Sequence, residues 1–355
     1  MHGELKSVYQ AMANHRLNDA RTLLIVVDWS DRTRSQQLIR AAVALDGRSH
    51  TVYEEVHPIT SATKPCVHTA FLEQLKLVLP VGCQPIIVTD AGFRSPWFRA
   101  VEKLGWHWVR RIRNRNMVRT HVVPAPSVVS DVAGTIVFVD SISSTAASTD
   151  HAAGWCGAKT LYTRATATAL DLGLMDHVRN CPITYRMVII KRTPKGRQMK
   201  TAHGERTQSS HRAKQAIAQL EPWLLASSCS LSYLSAEAVV SVYAPRMQIE
   251  EAFRDTKNVR MGLGLSASGS RGGKRLAVLA LIACLAEFVL RLIGQTAIGK
   301  SLQYDLQLTN RRSRPELSCL QVGRLLLQKT LATFTKAEFD NTIKRWRMPH
   351  HALQI

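Results

Sequence analysis

The chain has 355 residues, 45% of them hydrophobic, which is enough for one large domain or two ordinary ones with a filled core. Its 47 Lys and Arg against 26 Asp and Glu give a formal net charge of +21 and a pI near 10.2, the balance of a polyanion-binding surface. The seven cysteines are scattered without a CxxC pair or a companion histidine block, which argues against a zinc site and for reduced thiols in a cytoplasmic protein.

In chain order, a short amphipathic helix is expected near Glu4 to Ala13, with no positively charged, apolar-cored leader ahead of it. Leu23 to Val27 is an unbroken apolar run rich in β-branched residues, read as a strand buried on both faces and ending in Asp28. Strands follow at about Gln37 to Leu45 and His50 to Val56, joined at an Asp46-Gly47 turn. A helix at Val67 to Leu79 carries apolar residues at Phe71, Leu75 and Leu79. Ile86 to Val88 lead through Thr89 to Asp90, with Gly92 opening a turn before a helix at Pro96 to Lys103 and a strand at Trp106 to Ile112.

The next helix of interest begins only at Pro245, and the 160 positions from Asp90 to Glu250 are too many for one loop. Strand-like segments at Gly134 to Val139 and Thr184 to Arg192 fall in that interval, along with a Ser/Thr/Ala-rich loop at Ser141 to Trp155 and a basic stretch at Pro194 to Gln208. After the glycine and serine stretch Gly262 to Gly273 comes the apolar run Leu276 to Ile293. Its length suits a membrane span, but Glu287 and Arg291 make it a buried core helix, because mid-span charges are costly in lipid. Helices complete the chain.

The positive charge is clustered. From Arg99 to Arg119 seven cations, among them Arg110, Arg111 and Arg113, face only Glu102, with Trp106 and Trp108 interleaved. Lys191, Arg192, Lys195, Arg197 and Lys200 form a second cluster. The distribution favours DNA as the partner. The tryptophans read first as core residues and second as stacking platforms.

Tyr243, Arg246, Glu250 and Lys257, offset by three, seven and fourteen, fall within roughly 60° on one helical face. One carboxylate beside two cations and a phenol suits a metal ligand ringed by phosphate-holding groups. Taken singly, Arg246 and Glu250 would be an i, i+4 surface pair, and Asp28 or Asp90 a cap or turn residue. Together, Asp28, Asp90 and Glu250 make a D, D, E set whose buried charges a divalent cation would offset.

On these residues the chain resembles a known family. VDWS, TDAGFRSPWF followed by VEKLGWHWVRRIR, and YAPRMQIEEAFRDTKNVRMGLGL are similar to the three catalytic blocks of DDE-type cut-and-paste insertion-sequence transposases, in the Y-R-E-K group, insertion sequence family four. The third block carries the Y-x2-R-x3-E-x6-K signature without departure, and the similarity runs from about Leu23 to near Arg291. The resemblance implies an α/β, ribonuclease-H-like mixed sheet with flanking helices, interrupted by a β-rich insertion before the glutamate helix. It implies DNA strand cleavage and transfer at the ends of an insertion sequence, with two Mg2+ ions that Mn2+ can replace. Double-stranded DNA, as transposon ends and target, is the implied partner of a homodimer in the bacterial cytoplasm, with no membrane involved.

Position by position, Asp28, Asp90 and Glu250 match the catalytic, metal-binding triad, and Tyr243, Arg246 and Lys257 match DNA-contacting positions. Relatives in this group free the transposon end through a DNA hairpin, and similar enzymes flip a base against an aromatic residue. Trp223 in LEPWLLAS is the candidate for that role, with a core tryptophan as the competing reading. The expected organisation is a residual helix at 1–20, a first catalytic part at 21–112, the insertion at 113–235, a second catalytic part at 236–295 and a basic helical region at 296–355. Family members carry a helical DNA-binding region ahead of the first aspartate block, and only 27 residues precede Asp28. A truncated, non-catalytic DNA-binding derivative is therefore the alternative expectation.

Overall fold

A computed structural model of the protein describes residues 4–17, 20–45, 47–113, 116–122, 154–194, 217, 219–260, 262–307, 316–329 and 333–347. The chain forms two compact units, Met1–Arg111 together with Ser230–Ile355, and Ile112–Cys229.

The first unit is built on strands β1 (Leu24–Asp31), β2 (Gln36–Leu45), β3 (Arg48–Pro58), β4 (Ile86–Thr89) and β5 (His107–Ile112), in the order β3-β2-β1-β4-β5. The hairpin strands β2 and β3 run antiparallel, β1 pairs antiparallel with β2, and β4 and β5 continue parallel to β1. This is the ribonuclease-H-like mixed sheet. Ile25, Val26 and Val27 are all fully buried, so both faces of β1 are covered, as an apolar run without alternation requires.

Register decides what each face carries. Asp28 lies opposite Arg40, and Arg40 opposite Glu54, so the three charged side chains share one face of the sheet. Contrary to the sequence expectation, β1 does not end at Asp28 but runs on to Asp31, because residues 28–31 keep their antiparallel pairing with β2.

Trp29 points to the opposite face, where its ring meets His68 on α2 (Pro65–Val78) at 6.0 Å. That face is closed by α2 and α3 (Ser95–Lys103), with Phe71, Leu72, Leu75, Trp97, Phe98 and Val101 buried between them and the sheet. The amino-terminal helix α1 (Leu5–Leu17) adds Tyr9, whose ring meets Tyr53 edge-on at 5.5 Å.

Helices α4 (Ala236–Tyr243) and α5 (Met247–Lys257) follow, α4 being capped by Ser235 Oγ, which accepts from the Ala238 N–H. The buried stripe Ile249, Ala252, Phe253 and Thr256 lays α5 on the charged face of the sheet, where Thr256 and Phe253 meet Arg40. The apolar run becomes α6 (Gly273–Gly299), long and apolar enough by composition to cross a membrane. Only one of its faces is buried. Glu287 and Arg291 pair there, and Arg291 Nη1 donates to the Ser49 carbonyl at 2.7 Å. Ile282, Leu285 and Val289 lie exposed on the opposite face. After α7 (Gln303–Leu306), helices α8 (Cys319–Lys329) and α9 (Lys336–Arg347) pack on α6.

In the second unit, β6 (Met117–Thr120), β7 (Cys156–Gly157), β8 (Leu170–His177), β9 (Ile183–Ile190) and β10 (Trp223–Ser227) are ordered β10-β9-β8-β6-β7, every pairing antiparallel. The strand expected at Gly134 to Val139 and most of the basic stretch Pro194 to Gln208 lie outside the described residues.

The α6–α8 crossing depends on two glycines. A Cβ added at Gly323 would collide with the Leu290 carbonyl oxygen, and one at Gly294 with that of Cys319. Gly323→Ala should therefore lower stability by roughly 1–3 kcal/mol in denaturant titration, although helix propensity alone favours alanine by about 1 kcal/mol. A gain in stability would show that the close approach does not constrain the crossing.

Candidate active site

Parallel pairing of β1 with β4 sets Val27 beside Thr89, so the next residue of one strand, Asp28, and the residue just past the other, Asp90, emerge at neighbouring strand positions. Asp90 is fixed by a turn in which its Oδ1 accepts from the Gly92 N–H at 2.7 Å. A side chain at position 92 would press on that same oxygen at 3.0 Å, which explains the glycine.

Glu250 arrives from α5 across the charged face. The guanidinium of Arg246 ties the pieces together, with Nη1 donating to Asp28 Oδ2 at 3.2 Å and Nη2 donating to Glu250 Oε1. Asp28 Oδ1 accepts from the Trp29 N–H at 2.8 Å. Burial, reinforced by the Asp90 charge, pushes the Asp28 carboxyl up from 3.8 to about 7, against the pull of Arg246 and the Trp29 N–H. Burial works against the Arg246 charge, but Tyr243, Asp28, Glu250 and Asp90 together hold its pKa above the ordinary arginine value. The site is a concentration of negative charge that one guanidinium only partly balances.

The helical face read from the sequence is not one continuous α-helix. Tyr243 ends α4, Arg246 lies in a single 3-10 turn at Ala244–Arg246, and Glu250 and Lys257 sit on α5. Pro245, lacking an N–H, tightens the winding there. The four residues nevertheless remain within one charged neighbourhood. Tyr243 is buried and within electrostatic reach of Arg246. Lys257 is half-buried, and burial and Arg32 lower its pKa while Asp31 and Asp28 oppose the change.

The basic cluster divides. Arg110 is 3% exposed, stacks on Phe98 at 4.6 Å and donates to the Phe93 carbonyl at 3.2 Å, so it braces the turn that carries Asp90 instead of facing solvent. Arg111 is also buried, and Arg113 is exposed. Trp106 and Trp108 lie in the core. In the second unit Trp223 is partly buried under the Arg192 guanidinium, 4.4 Å from the ring, so one face of the indole is already covered. Arg115, Lys195, Arg197 and Lys200 lie outside the described residues.

Sequence reasoning missed the supports beneath the acids. Arg40, fully buried, donates from Nε to Glu54 Oε2 at 2.7 Å and from Nη1 to Thr256 at 3.4 Å, and lies over the Phe253 ring at 4.9 Å. Tyr9 OH donates to Glu54 Oε1 at 3.1 Å. Asp255, next to Thr256 on α5, accepts from Arg48 at 3.0 Å and from Arg291 at 3.4 Å. The visible signal was a lone arginine and a glutamate pair inside two apolar strands.

Three oxygen-rich carboxylates, one of them carrying an unfavourable buried charge, have the donor chemistry of a divalent-cation site. They do not converge as a closed cage, and no group of three or more acids, histidines or cysteines among the described residues does. Arg246 fills part of the role of a counter-charge.

A family model described as a transposase DDE domain matches residues 19–286, a span that holds Asp28, Asp90 and Glu250. No curated protein matches the chain.

The raised Asp28 carboxyl fixes the sign of a pH effect. Between about 3.8 and 7 the folded chain keeps a proton that the unfolded chain has released, so stability falls as pH rises through that window. Asp28→Asn should raise the stability of the metal-free protein by roughly 1–3 kcal/mol at pH 8, with the gain disappearing near pH 4. Thermal denaturation at both pH values measures it, and an equal effect at both would remove the buried charge as the cause.

Proposed function

Because the chain belongs to the DDE-domain transposase family, we propose that it is a metal-dependent transposase of the Y-R-E-K, hairpin-forming type, cutting and joining DNA strands at the ends of an insertion sequence. The observation that carries this reading is the Arg246 fork joining Asp28 to Glu250, beside Asp90, with the Asp28 charge left costly by burial.

In this reading Asp28, Asp90 and Glu250 supply oxygen ligands to two Mg2+ ions, with Mn2+ as a substitute. Bound there, such ions would supply activation of the attacking water or 3′ hydroxyl and a counter-charge for the leaving oxygen. The chain's own residues do the positioning. Arg246, released from the carboxylates, grips phosphate oxygens as a planar fork, and Lys257 adds a point charge one helix segment away. Tyr243, from its buried position, orients Arg246. The Arg110 brace keeps Asp90 at the strand end. Net charge supplies non-specific affinity for duplex DNA, and the protein works on DNA as a homodimer in the cytoplasm.

Asp28→Asn, Asp90→Asn and Glu250→Gln should each lower divalent-dependent nicking of a duplex carrying insertion-sequence ends by at least about a hundredfold, with double variants little worse than single ones. Affinity for duplex DNA should persist. A variant that nicks at the parental rate removes its residue from the triad. If the parental protein binds DNA but cuts none with Mg2+ or Mn2+, the non-catalytic DNA-binding reading replaces this one.

A further inference from the structure

Beside the acidic group lies a cleft of about 650 Å³ lined by four cations, Arg32, Arg34, Lys257 and Arg271, and by no carboxylate among the described residues. A cavity whose charged walls all carry one sign favours an anionic occupant. Two of its polar groups point the same way. All three guanidinium nitrogens of Arg32 are shut off from solvent, as is the hydroxyl of Ser270, a residue only 7% exposed. None of these atoms has a hydrogen-bond partner among the described residues. Unpartnered buried donors are expensive, and a guanidinium more so than a hydroxyl.

Arg32 lies 5.8 Å from the Phe253 ring. Burial and the neighbouring Arg40 lower its pKa to about 10, against the opposing pull of Glu54, Glu287 and Tyr9. Lys257 on the cleft wall lies within the electrostatic reach of Asp28 and Asp31, so the cleft approaches the acids on the Asp28 side. Ser268 adds a hydroxyl that can donate to an oxyanion, whereas the Ser266 hydroxyl already donates to the Lys257 carbonyl at 2.6 Å. A volume of this size admits a length of nucleic-acid backbone, not only a single ion.

We propose that this cleft seats a backbone phosphate of the DNA strand next to the phosphodiester cut at Asp28, Asp90 and Glu250, with Arg32 and Ser270 as its buried donors. The inference rests on the reading of the chain as a DNA-cutting enzyme. It adds a positioning contact to that reading, in which Arg32 sets where the strand lies relative to the acids.

The test is binding of a duplex oligonucleotide to the full chain at several salt concentrations, alongside thermal denaturation without DNA, for the parental protein, Arg32→Gln, Ser270→Ala and the exposed Arg271→Gln. Arg32→Gln should weaken binding roughly tenfold and reduce the salt slope by about one, with melting temperature little changed because none of its nitrogens makes a hydrogen bond among the described residues. Unchanged affinity and slope would overturn the proposal, as would a loss of affinity that only tracks a lowered melting temperature. Should Arg32→Gln not fold, Ser270→Ala and Arg271→Gln decide the matter, each being required to weaken DNA binding without lowering the melting temperature. A melting-temperature rise in inorganic phosphate that Arg32→Gln abolishes, with DNA binding untouched, would assign the cleft to a free phosphate instead. If the parental protein shows no salt-dependent DNA binding at all, it is the transposase reading that fails, and the two failures are thereby distinguished.

Discussion

A carboxylate drawn largely out of water in the middle of a sheet is the constraint from which the rest of this structure follows. Asp28 sits inside β1 with apolar neighbours on both sides, and its charge is unfavourable there. Such a charge persists only where partners are brought to it. Arg246 comes from 218 positions further along the chain to meet it, and Arg40 and Glu54 continue a charged row across β2 and β3 on the same face. The helix that covers this row must therefore be polar at particular points. Thr256, Asp255 and the ring face of Phe253 supply those points.

The architecture divides its labour accordingly. The faces occupied by Trp97, Trp108, Phe71 and Phe98 are conventional apolar packing, in which large rings fill the space between helices and strands. The face under α5 is held by directional contacts between ions, which fix register and angle more tightly than hydrocarbon contacts do. A site that must hold three acids in a fixed relation gains from the second kind of packing. The cost is stability, since a neutral residue at position 28 would be tolerated more easily than the aspartate that is there.

Much of this was legible in the sequence, for identifiable reasons. The strands β1 and β4 announce themselves because apolar runs of β-branched residues break at acids, and the α2 helix because Phe71 and Leu75 keep a helical period. The break at Pro245 was not read, since a 3.6-residue period counted through a proline conceals one turn of tighter winding. Nor was the inward direction of Arg110. In the run Arg110-Arg111-Ile112-Arg113 nothing local tells which guanidinium finds a ring and a carbonyl inside the fold. The partnership of Arg40 with Glu54 depends on strand register, and register is a property of two segments at once. Arg32 was passed over for the same reason, because its place beside Phe253 and its lack of a hydrogen-bond partner among the described residues appear only once α5 is in place.

The separation of Asp28 and Arg246 by 218 positions also bears on how the molecule is made. During synthesis β1 to β5 leave the ribosome well before α5 exists, so a partly translated chain carries Asp28, Arg40 and Glu54 with no helix to cover them. Contacts this distant in sequence form late and slowly. The acids cannot be brought into relation until most of the polypeptide has emerged, and Arg291, which ties α6 to both Ser49 and Asp255, adds a lock from still later in the chain. A product released early by the ribosome would hold two of the three acids and lack the residue that joins them. Assembly order itself thus keeps an unfinished polypeptide from completing the group of acids.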